Sequence, residues 1–178
     1  MNFTATVKQE LISLPLEKTC CMTSELNALT ACCGSISLLG AGRVQLHYVT
    51  QSAGVLRRIF TLLKRRHGIS AAPRLVRLGS FGGVRQYQLR LTPEDTRTVL
   101  RGMDPQRREG VGLRGVPLRQ TRRICCRRAW IRGAFLGCGT VTDPAKGYRA
   151  EFVLDDAARA AHLARLLTLN GVPTGRIQ

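Results

Sequence analysis

Residues 125–141 read CCRRAWIRGAFLGCGTV, and a paler copy, CCMTSELNALTACCGSI, occupies residues 20–36. In both stretches a pair of adjacent cysteines is followed thirteen residues later by Cys-Gly, a hydroxyl residue and a β-branched residue. Cys125 follows Cys20 by 105 residues, and Gly139 follows Gly34 by the same offset. A fixed offset kept by several identities predicts a duplicated unit.

The first copy of the unit reads as αββαββα. A helix with Ser24 as its N-cap is expected to run to Cys33 and is followed by the strands SISLL and RVQLHYV. The next helix, SAGVLRRIFTLLKRRH, has an apolar stripe, with Arg58 among the arginines predicted for its outer side and Gly68 as the residue after its end. The strands PRLVRLG and VRQYQLRL and a helix beginning at Thr92-Pro93 complete the unit.

The chain divides into four predicted segments. An N-terminal helix capped by Thr4 occupies 1–19, the first repeat 20–104, an Arg-rich linker 105–124 and the second repeat 125–178. Asp155 is the predicted cap of the second-copy helix DDAARAAHLARLLTLN. The sequence ends a few residues into the expected third strand, so we expect an incomplete second repeat and no further DNA-binding domain in this chain.

The charge balance indicates a polyanionic partner. Lys and Arg number 28 against 11 Asp and Glu, which gives a formal charge of +17. A GC-rich genome would explain the excess of Arg over Lys but not the shortage of acids. Because the N-terminus is amphipathic and no apolar stretch reaches membrane-spanning length, we expect a cytoplasmic, nucleoid-associated protein with reduced cysteines and no membrane partner.

A duplicated αββαββα unit whose first helix ends in small residues before a strand resembles the LAGLIDADG fold. The stretches FTATVKQELISLPLEKTCC and CCRRAWIRGAFLGCGTVTDP further resemble the WhiA regulators of sporulation and cell division, which join a degenerate homing-endonuclease-like domain to a helix-turn-helix. The resemblance implies an α+β fold with saddle-shaped antiparallel sheets and two first helices packed side by side. The residues that suit this repeat interface are Ala28, Ala31, Cys33, Gly34, Gly133, Gly137, Cys138 and Gly139.

The same resemblance predicts that the protein is not an enzyme. In LAGLIDADG nucleases an acidic residue precedes the final glycine of each motif and binds a divalent metal ion, whereas Cys33 and Cys138 stand there in this chain. A thiol is a poor ligand for Mg²⁺. If the fold is as expected, these two cysteines meet, either as small residues at a tight interface or as a redox contact or metal bridge.

No cofactor and no metal site are expected from the sequence. Adjacent cysteines are predicted to be poor zinc ligands because their side chains diverge, and the three histidines, His47, His67 and His162, form no metal or acid–base set. The cysteine count of seven also argues against a disulfide framework.

Strand alternation predicts a DNA-binding surface on the sheet. If Val44, Leu46 and Tyr48 face the helices, then alternate polar residues face outward. Arg77 joins them provided that Val76 and Leu78 point inward, and Arg149 is the candidate from the second copy. The predicted DNA-binding residues are Arg43, Gln45, His47, Arg77, Gln86, Gln88, Arg90 and Arg149.

Two functions remain open at this point. The first is a non-catalytic module of a WhiA-like transcriptional regulator that binds double-stranded DNA and acts in sporulation, cell division and chromosome segregation. The alternative is a protein-interaction platform that docks another transcriptional regulator or its own helix-turn-helix, with the charge serving solubility.

Overall fold

The structure is a computed structural model, and it describes residues 2–78, 84–103 and 121–175. Two compact units divide the chain: residues 1–32 with 115–178 form the first, and residues 33–114 form the second. The six helices of the described ranges are α1 (Phe3–Ser13), α2 (Thr19–Cys33), α3 (Ala53–His67), α4 (Pro93–Met103), α5 (Ile124–Cys138) and α6 (Ala157–Thr168). The strands are β1 (Gly34–Leu38), β2 (Val44–Thr50), β3 (Pro73–Leu78), β4 (Val84–Arg90), β5 (Gly139–Val141) and β6 (Ala150–Phe152).

The second unit is built on a four-stranded antiparallel sheet with strand order β1-β2-β4-β3. Leu46, Tyr48 and Leu89 alternate along β2 and β4 and are fully buried, as the strand pattern predicts. The helix α3 packs against both strands, while Thr96 of α4 accepts a hydrogen bond from the backbone N–H of Leu46 at 2.9 Å. One face of the sheet is therefore covered by helices.

The boundaries of α3 follow directly from its sequence. The Ser52 side chain accepts a hydrogen bond from the N–H of Val55, and Gly68 ends the helix with a φ of +71°. The predicted glycine at the helix end is confirmed. The prediction that Arg58 lies on the exposed side is wrong, because Arg58 is buried in the same stripe as Val55, Ile59 and Leu62.

The first unit packs α1, α2 and α6 around α5, together with the two-stranded antiparallel sheet β5-β6. Its core contains Ala28 of α2, Trp130 and Ala134 of α5, and Leu163 and Leu166 of α6. The Trp130 ring meets the His162 ring edge to face, with 4.9 Å between their centroids. A 3-10 turn at Pro144–Lys146 links the two short strands.

Three predicted N-caps are wrong. The helix α2 begins at Thr19, so Ser24 lies inside it and is buried. Asn2 caps α1, whereas the Thr4 hydroxyl binds the backbone N–H and C=O of Val141 at 3.0 and 2.8 Å. Asp156, and not Asp155, caps α6 by accepting from the N–H of Arg159. In each case the chain offers two polar residues near the helix start, and tertiary packing decides between them.

The predicted linker, 105–124, lies outside the described residues up to position 120. Within the described ranges no helix combines the length and the apolar character needed to cross a lipid bilayer.

Candidate nucleic-acid interface

The face of the four-stranded sheet that bears polar residues in all four strands is the main candidate site. Backbone pairing places His47 opposite Arg90, and Gln88 opposite Arg74, so these residues share one side of the sheet. The same alternation adds residues from β1 and from the rest of β2 and β4. We call this surface the polar sheet face, and it consists of Ser35, Ser37, Gln45, His47, Arg74, Gln86, Gln88 and Arg90.

The charge of the polar sheet face is entirely positive. Arg74 and Arg90 are exposed, as is Arg43 just before β2. The four strands β1–β4 contain no Asp or Glu, and the two acids between residues 84 and 103, Glu94 and Asp95, begin α4. A surface of guanidinium and amide groups without carboxylates is suited to phosphate oxygens and base edges.

Two neighbours limit how the face behaves. The Gln45 amide donates a hydrogen bond to the C=O of Leu91 at 2.9 Å, which ties this side chain to the chain just after β4. Partial burial, and then the charge of Arg90, lower the pKa of His47. His47 is therefore neutral at pH 7, and the positive charge of the face comes from arginine.

The prediction that Arg77 shares the face of Gln86 and Gln88 is wrong. The register pairs Val76 with Gln86, and it pairs Arg77 with Arg85 on the side of Tyr87 and the buried Leu89. The side chain of Arg77 lies outside the described part of the structure. Arg74 was missed because the phase of β3 depends on the hairpin connection to β4, which the sequence pattern does not fix.

The last candidate for DNA binding, Arg149, lies in the first unit. Its side chain is exposed and forms an ion pair with Glu151, while its backbone N–H donates to the Thr142 hydroxyl at 3.0 Å. The neighbouring carboxylate offsets its charge, so Arg149 is a weaker candidate for a phosphate contact than Arg74 or Arg90.

The predicted repeat interface contains one very close contact between helices. A Cβ added to Gly133 of α5 would lie 2.5 Å from the C=O oxygen of Glu25 and 2.9 Å from the Cβ of Ala28 in α2. Ala28 and Gly133 are equivalent positions of the two copies, separated by the offset of 105. The structure thus brings these two predicted residues together, and only a glycine at position 133 allows this separation.

A charged pair that the sequence did not single out lies beside this contact. Glu25 of α2 is completely buried, and its carboxylate accepts two hydrogen bonds from the guanidinium of Arg132 in α5. A glutamate within an otherwise apolar helix is the signal that could have indicated a buried ion pair.

The other predicted interface residues lie near the C-terminal ends of the same helices. Ala31 is nearly buried and its C=O accepts from Arg159 at 2.7 Å; Gly137 is half-buried, while Gly139 starts β5 with its hydrogen atom facing Phe135. Cys33 is the buried last residue of α2, and Gly34 begins β1. The sulfur at hydrogen-bond distance from Cys138 is that of Cys32, at 3.2 Å, one position before the cysteine that the repeat aligns with it.

This thiol pair has an acidity of its own. The hydrogen bond with Cys32, opposed by burial and assisted by Lys8, lowers the pKa of Cys138. Neither α2 nor α5 carries Asp or Glu in its last turn, so thiols stand where an acidic helix end would be needed to hold a hard metal ion.

The expectation that the adjacent cysteines diverge is wrong. The Sγ atoms of Cys20 and Cys21 lie 4.0 Å apart, and those of Cys125 and Cys126 lie 3.9 Å apart. Both pairs occupy the first turn of a helix, and α2 and α5 bring them to the same place within the first unit. The sequence could not show this proximity, because the two pairs are 105 residues apart.

Comparison with protein-family models finds two matches. The model described as the WhiA N-terminal LAGLIDADG-like domain matches residues 19–104, and the WhiA LAGLIDADG-like domain matches residues 127–175. A protein of Desulforamulus reducens named probable cell division protein WhiA is 32% identical over 97% of this chain and 54% of its own length. Its namesake in Heliobacterium modesticaldum is 33% identical over 94% of the chain and 53% of its length. The chain thus spans about half the length of the curated relatives it matches.

Solved structures share the fold. Full-length DUF199/WhiA from Thermatoga maritima superposes with a TM-score of 0.69 at 16% identity, covering 100% of this chain and 54% of that one. The homing endonuclease I-DmoI in complex with DNA and Mn superposes with a TM-score of 0.57 at 15% identity, covering 89% and 82%. The predicted α+β LAGLIDADG-like fold is therefore confirmed, with a shorter sheet in the second copy. With both family models matched along its length, the chain belongs to the WhiA family.

Proposed function

We propose that this chain is the non-catalytic, double-stranded-DNA-binding module of a WhiA-type transcriptional regulator of sporulation and cell division. The observation that carries the proposal is the polar sheet face, on which exposed arginines stand among amides and no carboxylate interrupts them. The formal charge of +17 supports the same class of partner.

The chemistry of the face suits duplex DNA. Arginine donates two parallel hydrogen bonds to phosphate or to guanine, and glutamine pairs with the adenine edge in the major groove. Arg74 and Arg90 lie on either side of Gln88 in the sheet, because Gln88 is opposite Arg74 and two residues before Arg90. A phosphate contact flanking a candidate base contact is the arrangement that positions and then reads a duplex.

The ends of α2 and α5 argue against cleavage. Hydrolysis of a phosphodiester by this fold would require oxygen ligands for Mg²⁺, and Cys33 and Cys138 supply sulfur instead. The Cys138 thiol is also engaged with Cys32. Binding without cutting is consequently the activity that these residues favour.

The relatives add support at a coarser level. The matched proteins are named probable cell division protein WhiA, and I-DmoI, which shares the fold, has been solved with DNA. We extend the role in cell division and the affinity for DNA to this chain by proposal, since it spans about half of those relatives.

A salt-series binding titration with duplex DNA, single-stranded DNA and RNA tests the function. We expect a preference for the duplex and a log–log slope of about −0.9 for each phosphate contacted. An affinity that does not change with salt, or binding that favours RNA, would contradict the proposal. Capture of another regulator after nuclease treatment, combined with no affinity for DNA, would instead support a protein-interaction platform.

A further inference from the structure

Four cysteines gather at the N-terminal ends of two helices in the first unit. Cys20 and Cys21 belong to the first turn of α2, and Cys125 and Cys126 belong to the first turn of α5. All four Sγ atoms lie within 4.8 Å of one another, and each cysteine is a free thiol. These residues have no part in the proposed DNA-binding surface.

The spacing of the sulfurs fits one tetrahedral ion. A Zn²⁺ ion held by four thiolates at about 2.3 Å has sulfur–sulfur edges of about 3.8 Å. The two edges within the pairs, 4.0 and 3.9 Å, already have nearly this length. The longest separation of 4.8 Å requires a contraction of about 1 Å, which side-chain rotation can supply.

The surroundings favour sulfur in its anionic form. Both pairs lie at helix N-termini, where the backbone N–H groups and the helix dipole stabilise negative charge. Burial alone would raise the pKa of Cys20, but hydrogen bonds from Cys126, Cys21 and Cys125, together with Arg123, lower it. Burial and donation to these partners raise the pKa of Cys21 to about 11 and that of Cys126 to about 12. One thiolate is thus surrounded by three thiols.

Access and ligand type narrow the choice of ion. Cys126 is buried, while Cys20, Cys21 and Cys125 are half-buried, so an ion can enter from solvent and still be largely enclosed. Four sulfur ligands disfavour Mg²⁺ and Ca²⁺, which take oxygen, and favour Zn²⁺. A tetrahedral site that supplies four protein ligands leaves no open position for substrate, which is the pattern of a structural and not a catalytic zinc ion.

We propose that Cys20, Cys21, Cys125 and Cys126 form a mononuclear zinc site that joins the first turn of α2 to the first turn of α5. On binding, each thiol releases its proton to solvent as its metal–sulfur bond forms. The ion ties together equivalent positions of the two sequence copies, so the site exists only when both copies are present in one folded chain.

Metal analysis of the full chain is the first test. We expect one zinc ion per chain after dialysis against metal-free buffer with reductant. Titration with Co²⁺ should produce thiolate-to-cobalt charge transfer in the near ultraviolet and the visible bands of a tetrahedral four-sulfur site, and Zn²⁺ should abolish both. A folded chain without metal, a spectrum of fewer sulfur ligands, or disulfides among these four cysteines in freshly purified protein would overturn the proposal.

A pair of matched double variants locates the site. C20S/C125S removes one ligand from each pair and should lose the stoichiometric ion. C32S/C138S removes two other cysteines from the same two helices and should retain it. Helical circular dichroism of each variant with and without Zn²⁺ separates loss of the site from loss of the fold: the control should melt at a higher temperature with zinc, and C20S/C125S should show no such shift. Retention of one tightly bound ion by C20S/C125S would overturn the proposal.

Discussion

The guanidinium of Arg132 in α5 donates two hydrogen bonds to the carboxylate of Glu25 in α2, which is completely buried. This charged pair crosses between two helices that are otherwise in contact through small residues such as Ala28 and Gly133. A buried carboxylate that loses its cationic partner is costly, because water cannot replace the partner.

Arg132→Met should therefore lower the free energy of unfolding by about 3 kcal/mol, measured by urea denaturation. The control is Arg128→Met on the exposed part of the same helix, for which we expect a change of less than about 0.5 kcal/mol. The double variant Glu25→Gln/Arg132→Met should regain part of the loss, since the buried charge is gone. Equal stabilities for the two single variants would contradict the role of this pair.

Gly133→Ala should destabilise the protein by about 2 kcal/mol, because the new Cβ would lie 2.5 Å from the backbone oxygen of Glu25. Helix propensity alone predicts the opposite sign, a gain of about 1 kcal/mol. The sign of the change in melting temperature thus decides whether the backbones of α2 and α5 are as close as described.

Arg74→Ala/Arg90→Ala should weaken binding to duplex DNA and reduce the magnitude of the salt slope by about 0.9 for each phosphate that is no longer neutralised. The matched control is Arg57→Ala/Arg97→Ala, which removes the same charge from exposed positions of α3 and α4. A control that weakens binding as much as the test variant would indicate that net charge, and not the polar sheet face, determines the affinity.

Supercoiled plasmid should remain intact when incubated with the protein and Mg²⁺ or Mn²⁺. The reason is that Cys33 and Cys138 replace the acids needed to hold a hard metal ion at the scissile phosphate. Gel electrophoresis with a nicking enzyme as positive control measures this. Nicking that depends on added metal and disappears with chelator would contradict the assignment as non-catalytic.

Stability should fall as the pH is lowered below about 6.5, partly because of His162. Burial, and then Arg165, lower the pKa of this histidine, and its ring lies against Trp130. Between the lowered folded pKa and the unfolded value of about 6.5, the unfolded chain binds more protons, so acid favours unfolding.

His162→Gln should flatten this dependence, followed by the fluorescence of Trp130, the single tryptophan. His47 and His67 also have a lowered pKa and contribute in the same direction, so part of the slope should remain. An unchanged pH profile in the variant would show that His162 is not one of the groups responsible.

The sequence was most informative where a feature is local or repeated. The offset of 105 residues placed α2 and α5 in equivalent positions, and Gly68 marked the end of α3 through its left-handed conformation. The alternation in β2 and β4 identified the buried Leu46, Tyr48 and Leu89, because each strand carries its own phase. These properties depend on neighbours in the chain and can be read from it.

What the sequence did not show depends on contacts between distant elements. The phase of β3, which exchanges Arg77 for Arg74 on the polar sheet face, is set by its pairing with β4. The burial of Arg58 and the pairing of Glu25 with Arg132 arise only when helices pack. The approach of two cysteine pairs likewise requires α2 and α5 to be side by side, and no pattern within either helix indicates it.

The polar sheet face also differs from the rest of the molecule in how it responds to acidity. Arginine stays ionised and glutamine stays uncharged across the whole physiological range, and the one imidazole among them, at position 47, is kept unprotonated by its partial burial and its arginine neighbour. Grip on a polyanion through such groups would be tuned by the ions of the cell and would ignore its proton concentration. A cell whose interior acidified without a change in salt content would leave this contact as it was.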